Sequence, residues 1–103
     1  MKPMGPIPEW YSGEEGMLLI GGCGAASLVD EAGDTPLFVY DFDIVAAQMA
    51  RLRAAMPDGL HIHYAIKANP YPQLLARMVD LADAFDVASK GEMEQALGAG
   101  MAA

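Results

Sequence analysis

The stretch HIHYAIKANPYPQLLARMVDLADAFDVASKGEMEQAL, residues 61–97, carries the pattern that decides the fold. Residues 61–66 place a large apolar side chain at every second position, which predicts a strand. Pro72 then suits the first turn of a helix. Residues 85–88 (FDVA) read as a second strand, and the S-x-x-E spacing of residues 89–92 predicts that another helix begins there.

Strand, helix, strand and helix in this order, joined by short connections, predict a parallel sheet of the α/β class. Such a sheet has to be covered on both faces, and two strands do not satisfy that requirement. A (β/α)8 barrel takes about 250 residues, and this chain has 103. We therefore interpret the chain as the first part of such a barrel, truncated.

Two further elements are predicted immediately before this stretch. Residues 37–40 (LFVY) are rich in aromatic and β-branched side chains and read as a strand. A helix follows, capped by Asp41 or Asp43, and one apolar stripe runs along it. The members of that stripe are Val45, Met49, Leu52 and Met56.

The N-terminal third of the chain is less regular. MLLI at residues 17–20 predicts a short strand. Ser27 is a candidate N-cap for a short helix that Gly33 ends. Residues 1–16 contain three prolines and three glycines and read as an irregular lead-in.

Composition excludes several classes of function. Hydrophobic residues make up 53% of the chain and the formal net charge is −8, whereas binding nucleic acid requires clustered Lys and Arg. The most apolar run, residues 17–20, is far shorter than the ~20 residues of a membrane-crossing helix. Cys23 is the sole cysteine, so no internal disulfide forms, and no metal-ligand spacing accompanies it. We expect a cytoplasmic protein that binds neither nucleic acid, membrane nor metal.

Lys67 is the most informative single residue. It ends the first predicted strand, on the face that it shares with His63 and Ala65. Functional side chains of (β/α)8 barrels lie at the carboxyl ends of the strands, and a partly desolvated lysine there can act as a nucleophile or form a Schiff base. From spacing alone, a solvated lysine is the simpler interpretation, and Asp86 reads equally well as a solvated strand-end carboxylate.

Three segments in order resemble the type 2 ornithine/arginine/diaminopimelate decarboxylases, which are pyridoxal-phosphate enzymes of fold type III. YAIKANP at residues 64–70 is similar to their cofactor-attachment segment, and TPLFVYD at 35–41 and FDVASKGE at 85–92 match its flanking segments. The lead-in also resembles the relatives found beside exosortase systems. The resemblance implies an alanine-racemase-like (β/α)8 TIM barrel that begins with residues 35–103. Residues 1–34 would be a lead-in with a strand of the accessory β-domain.

The resemblance also implies roles for individual residues. Lys67 would hold pyridoxal phosphate as the internal aldimine, Ala65 would line the cofactor, and Asp86 would lie close to the pyridoxal ring. Glu92 would be a nearby acid, although its spacing from Ser89 also explains it as a helix-capping partner. The implied enzyme decarboxylates a small amino acid, acts as a homodimer and takes its remaining site residues from later in the chain.

Two alternatives stay open. A racemase of the same fold also attaches pyridoxal phosphate through a lysine after its first strand, but typically continues with Asp/Asn-Ala-Tyr-Gly, where residues 69–72 here are NPYP. The other alternative is a non-catalytic truncated fragment of such an enzyme. We expect the 103 residues alone to be inactive.

Overall fold

The structure is a computed structural model that describes residues 8–103. By their internal contacts the described residues form two compact units, and the division between them falls between Ile44 and Val45. The elements in chain order are strands β1 (Ser12–Glu14), β2 (Met17–Ile20) and β3 (Cys23–Gly24), helices α1 (Ala25–Ala32) and α2 (Phe42–Ala55), strand β4 (His63–Ala65), a 3-10 turn (Ile66–Ala68), helix α3 (Pro72–Leu81), strand β5 (Ala84–Asp86) and helix α4 (Lys90–Ala99). The fold is therefore mixed α/β.

The first unit contains a three-stranded antiparallel sheet in the order β1-β2-β3. Strand β2 occupies the four residues that the sequence predicts. Gly21 and Gly22 join it to β3 with φ values of 58° and 78°, a left-handed conformation that two-residue hairpin turns require and glycine adopts without strain. Strand β1 lies within the predicted irregular lead-in, so that prediction is wrong for residues 12–14, and residues 1–7 lie outside the described part.

Helix α1 begins earlier than expected. Gly24 is its N-cap residue, and Ser27 lies inside the helix, so the prediction that Ser27 caps it is wrong. The reason is that the chain passes from β3 directly into the helix. Gly33 ends the helix as predicted, with φ of 83° and its N–H donated to the carbonyl of Val29.

The predicted strand at residues 37–40 is also wrong, because this segment pairs with none of the five strands among residues 8–103. Strand-forming side chains do not by themselves make a strand, which also needs the ladder hydrogen bonds of a sheet, and Phe38 is 81% exposed. The helix after it is confirmed. The Asp41 carboxylate accepts hydrogen bonds from the N–H groups of Asp43 (2.9 Å) and Ile44 (3.4 Å) and so caps α2.

The second unit is built on the parallel pair β4–β5, with α3 as the crossover between them. Both strands are shorter than predicted, because β4 gives way to the 3-10 turn at Ile66 and β5 ends at Asp86. Ile66, Leu75 and Ala96 form the buried cluster, from the turn, α3 and α4 respectively. Leu74 and Met78 of α3 are buried too. No helix within residues 8–103 is long and apolar enough to cross a membrane.

A charged clip holds the amino-terminal ends of the two parallel strands. Asp83, just before β5, accepts hydrogen bonds from the Ile62 N–H (2.7 Å) and from Nη1 of Arg53 (3.0 Å). The second guanidinium nitrogen, Nη2, donates to the carbonyl of Leu81 (2.7 Å). The clip fixes the register in which Ala65 lies opposite Asp86 at the other end of the strands.

This clip predicts a loss of stability in acid. The Ile62 N–H, with the Arg53 guanidinium, lowers the pKa of Asp83 below its ordinary 3.8. Folding therefore favours the ionised carboxylate, and the resulting stability is present above 3.8 and is lost as the pH falls through the lower folded-state value. In urea titrations between about pH 6 and about pH 2, Asp83→Asn should flatten the acid limb of the pH dependence.

Asp58→Asn, at a position in the loop after α2, serves as the control for loss of one carboxylate. We expect its acid limb to match that of the unsubstituted protein. If both substitutions flattened the acid limb equally, Asp83 would contribute no more to the pH dependence of stability than Asp58 does.

Candidate functional site

The carboxyl ends of β4 and β5 bring together two of the residues that the sequence singles out. The strands run parallel, and Ala65 pairs directly with Asp86, the last residue of each strand. Neighbouring strands lie about 4.8 Å apart, so the two residues share one edge of the sheet. Lys67 follows Ala65 by two positions, and the structure therefore places all three at the carboxyl side of the parallel pair.

Lys67 does not lie on the strand face as predicted. It is the middle residue of the 3-10 turn Ile66–Ala68, because the chain leaves the strand after Ala65. Ile66 is completely buried, and the turn directs the next residue outward, so Lys67 is exposed rather than partly desolvated. Neither Lys67 nor Asp86 forms an ion pair within the described part of the chain, which leaves the lysine amine open to a ligand.

Ala65 and Asp86 differ in their surroundings. Ala65 is half-buried, whereas Asp86 is exposed. Ala65 contributes only a methyl group, and Asp86 contributes a carboxylate at the same end of the strand pair. The carboxyl end of the strand pair therefore presents one primary amine, one carboxylate and one small side chain.

Glu92 acts first as a helix-capping residue. Its N–H donates to Oγ of Ser89 (3.1 Å), while its Oε2 accepts from the Ser89 hydroxyl and from the Ala88 N–H, both at 3.3 Å. Ser89 thus caps α4 as the S-x-x-E spacing predicts, while the Glu92 carboxylate accepts from the N–H of Ala88, one residue before the N-cap, and not from the Ser89 N–H as in a standard capping box. The other carboxylate oxygen of Glu92, Oε1, is buried and has no hydrogen-bond partner within residues 8–103. The cap thus holds the loop that follows Asp86.

The cap supports a stability prediction. Ser89→Ala removes the acceptor for the Glu92 N–H and should cost about 1 kcal/mol in urea unfolding. Ser27→Ala is the matched control, because Ser27 is exposed inside α1 and caps nothing. We expect it to change stability little, since alanine is the better helix former. If Ser27→Ala lowered the free energy of unfolding as much as Ser89→Ala does, the assignment of Ser89 as the helix cap would be contradicted.

Asn69 is a residue that the sequence analysis missed. Its N–H donates to the Ile66 carbonyl (3.1 Å), its carbonyl accepts from the Tyr64 hydroxyl (3.0 Å), and its Oδ1 accepts from the Tyr71 N–H (3.1 Å). The signal was present in the Asn-Pro dipeptide at residues 69–70, since Asn before Pro marks a turn in which the side chain bonds the backbone two residues on.

No group of three or more His, Cys, Asp or Glu side chains among residues 8–103 is arranged to hold a metal ion. Cys23 is a free, exposed thiol in the first unit. His63 begins β4 and is exposed.

Fold and site together define an α/β protein that presents a primary amine at the carboxyl edge of a parallel strand pair. Residues 42–103 match the family model described as the pyridoxal-binding domain of pyridoxal-dependent decarboxylases. This match covers more than half of the chain, including every residue of the site. The chain therefore belongs to the pyridoxal-dependent decarboxylase family, whose cofactor is pyridoxal phosphate.

Several curated relatives agree with this assignment. The chain is 34% identical over 110 residues to an ornithine decarboxylase of Schizosaccharomyces pombe, an alignment that covers 98% of this chain and 25% of the relative. It is 36% identical over 101 residues to a diaminopimelate decarboxylase of Aquifex aeolicus, covering 98% of this chain and 23% of the relative.

A lysine/ornithine decarboxylase of Selenomonas ruminantium is 42% identical over 60 residues, which are 58% of this chain and 15% of the relative. The chain spans about a quarter of the length of the first two relatives. No solved structure gives a significant match.

Proposed function

We propose that these residues form the N-terminal part of a pyridoxal-phosphate-dependent amino-acid decarboxylase in which Lys67 attaches the cofactor. The observation that carries the proposal is the position of Lys67 in the turn directly after β4, beside the pairing of Ala65 with Asp86. The decarboxylase names of the relatives support the reaction class. Ornithine and diaminopimelate are the substrates to test first.

For the whole fold we propose an alanine-racemase-like (β/α)8 barrel that begins with residues 35–103, preceded by a lead-in and accessory β-domain strand in residues 1–34. The β4–α3–β5–α4 order supports it, because parallel strands joined by helical crossovers are the repeating unit of such barrels. We further propose a cytoplasmic homodimer. The single cysteine is consistent with a reducing compartment.

Each residue at the edge has a separate task in this proposal. Pyridoxal phosphate, when bound, supplies an electron sink for the pair of electrons left behind as the substrate's α-carboxylate departs. Lys67 binds the cofactor through Nζ, which has to lose a proton to act as a nucleophile. Asp86 orients or polarises the pyridoxal ring with its carboxylate. Ala65 lines the cofactor and leaves room for it.

The test uses the intact polypeptide that carries these residues, with pyridoxal phosphate and amino acids radiolabelled in the α-carboxylate. We expect labelled carbon dioxide from ornithine or diaminopimelate. A second sample carries deuterium on the α-carbon. Exchange of this deuterium without release of carbon dioxide would assign a racemase instead. Neither release nor exchange from a folded polypeptide would assign a non-catalytic protein.

A further inference from the structure

Asn69, the residue after the turn that carries Lys67, forms hydrogen bonds both to the start of that turn and to the start of helix α3. Asn69 closes the 3-10 turn with its N–H, which donates to the Ile66 carbonyl (3.1 Å). Its side-chain Oδ1 accepts from the Tyr71 N–H (3.1 Å), just before α3 begins at Pro72. The turn and the helix start are therefore joined by one asparagine.

A second tie runs from the strand. The Tyr64 hydroxyl donates to the Asn69 carbonyl (3.0 Å) in a part-buried position. The Tyr64 ring packs edge-on against Phe85 of β5, with ring centroids 5.9 Å apart. The hydrogen bond therefore connects Asn69, just after the turn, to a pair of aromatic side chains that project from one face of β4 and β5.

We propose that Asn69 is a positioning residue for Lys67, with the Tyr64 hydroxyl as its anchor on the strand. The inference rests on the proposed function, because it matters only if Lys67 attaches the cofactor. The backbone of Lys67 lies between Ile66 and Asn69, and a fixed backbone sets the position from which the long lysine side chain reaches its reaction partner. Asn69 itself contacts neither cofactor nor substrate in this role.

The experiment compares three variants of the intact polypeptide. Asn69→Ala removes the Oδ1 acceptor, Asn69→Ser keeps a weaker neutral acceptor at the same position, and Tyr64→Phe keeps the ring but removes the hydroxyl. Each is mixed with pyridoxal phosphate below saturation, reduced with borohydride at intervals and mapped by peptide mass. The label on Lys67 is measured relative to the label on exposed Lys90.

We expect the rate of Lys67 labelling to fall about fivefold in Asn69→Ala, as the loss of one hydrogen bond implies. Asn69→Ser should recover part of the rate, and Tyr64→Phe should lower it without changing the circular dichroism spectrum. Amide hydrogen exchange gives a readout that does not involve the cofactor. The Tyr71 N–H should exchange faster in Asn69→Ala and regain part of its protection in Asn69→Ser.

The outcomes separate the two proposals. If the unsubstituted protein shows no label on Lys67, the proposed function fails and this inference fails with it. If the unsubstituted protein is labelled on Lys67 and both Asn69→Ala and Tyr64→Phe are labelled at the same rate, only the positioning role is overturned. If Asn69→Ala does not fold, the Tyr64→Phe result decides alone.

Discussion

Replacing Lys67 with alanine should abolish borohydride-trapped attachment of pyridoxal phosphate and lower the decarboxylation rate at least about a thousandfold. Alanine has no amine, so the covalent link between protein and cofactor cannot form. The exposed position of Lys67 on the 3-10 turn implies that its removal leaves the buried cluster beneath the turn in place. The substitution should therefore abolish cofactor attachment without changing the fold. Peptide mapping measures the attachment, and circular dichroism of the same samples measures the fold.

Lys90→Ala is the matched control for this substitution. The Lys90 side chain is 85% exposed and its Nζ lies 3.7 Å from Oε1 of Glu94, and surface pairs of this kind contribute between 0 and about 1 kcal/mol. The Lys90→Ala substitution should leave the pyridoxyl label on Lys67 and the decarboxylation rate unchanged. Lys67→Arg keeps the positive charge but supplies no amine of comparable nucleophilicity, so it should fail like the alanine variant. Undiminished pyridoxyl label in Lys67→Ala would contradict the attachment role.

The sequence predicts the order of the elements better than their ends. Alternating large side chains in residues 61–66 predict a strand, but the chain turns at Ile66 because Asn69 bonds back to its carbonyl. That bond depends on the conformation of three residues and leaves no periodic signal. The strand prediction for residues 37–40 is wrong for a different reason. Local propensity favours a strand, but a strand forms only where another backbone supplies partners.

The candidate site was predictable to a different degree at each residue. Spacing alone left Lys67 and Asp86 as ordinary solvated charges, and only the resemblance of residues 64–70 and 85–92 gave them roles. The structure adds the pairing of Ala65 with Asp86, which depends on strand register. The clip at Asp83, twenty-one residues after its partner Ile62, contributes to that register and has no signature in the local sequence.

The second large expected effect is on the core beneath the site. Leu75 of α3 is 1% exposed and belongs to the buried cluster with Ile66 and Ala96. Leu75→Ala should lower the free energy of unfolding of this unit by about 2–5 kcal/mol, from lost burial and from the cavity left behind. Few apolar side chains among residues 8–103 are fully buried, so little neighbouring packing can compensate. Because Ile66 directly precedes Lys67, the same cavity should slow the labelling of Lys67.

Leu97→Ala makes the same chemical change on α4, where Leu97 is 46% exposed. It should cost less than about 1 kcal/mol, because a half-exposed leucine removes less apolar surface from water and leaves no closed cavity. Amide hydrogen exchange of α3 and α4 across a urea titration gives the opening free energy of this unit in the intact polypeptide. Equal losses for the two leucines would contradict the burial difference between them. A large loss for Leu75→Ala with unchanged Lys67 labelling would show that the turn holds its geometry without the core, through Asn69 and Tyr64 alone.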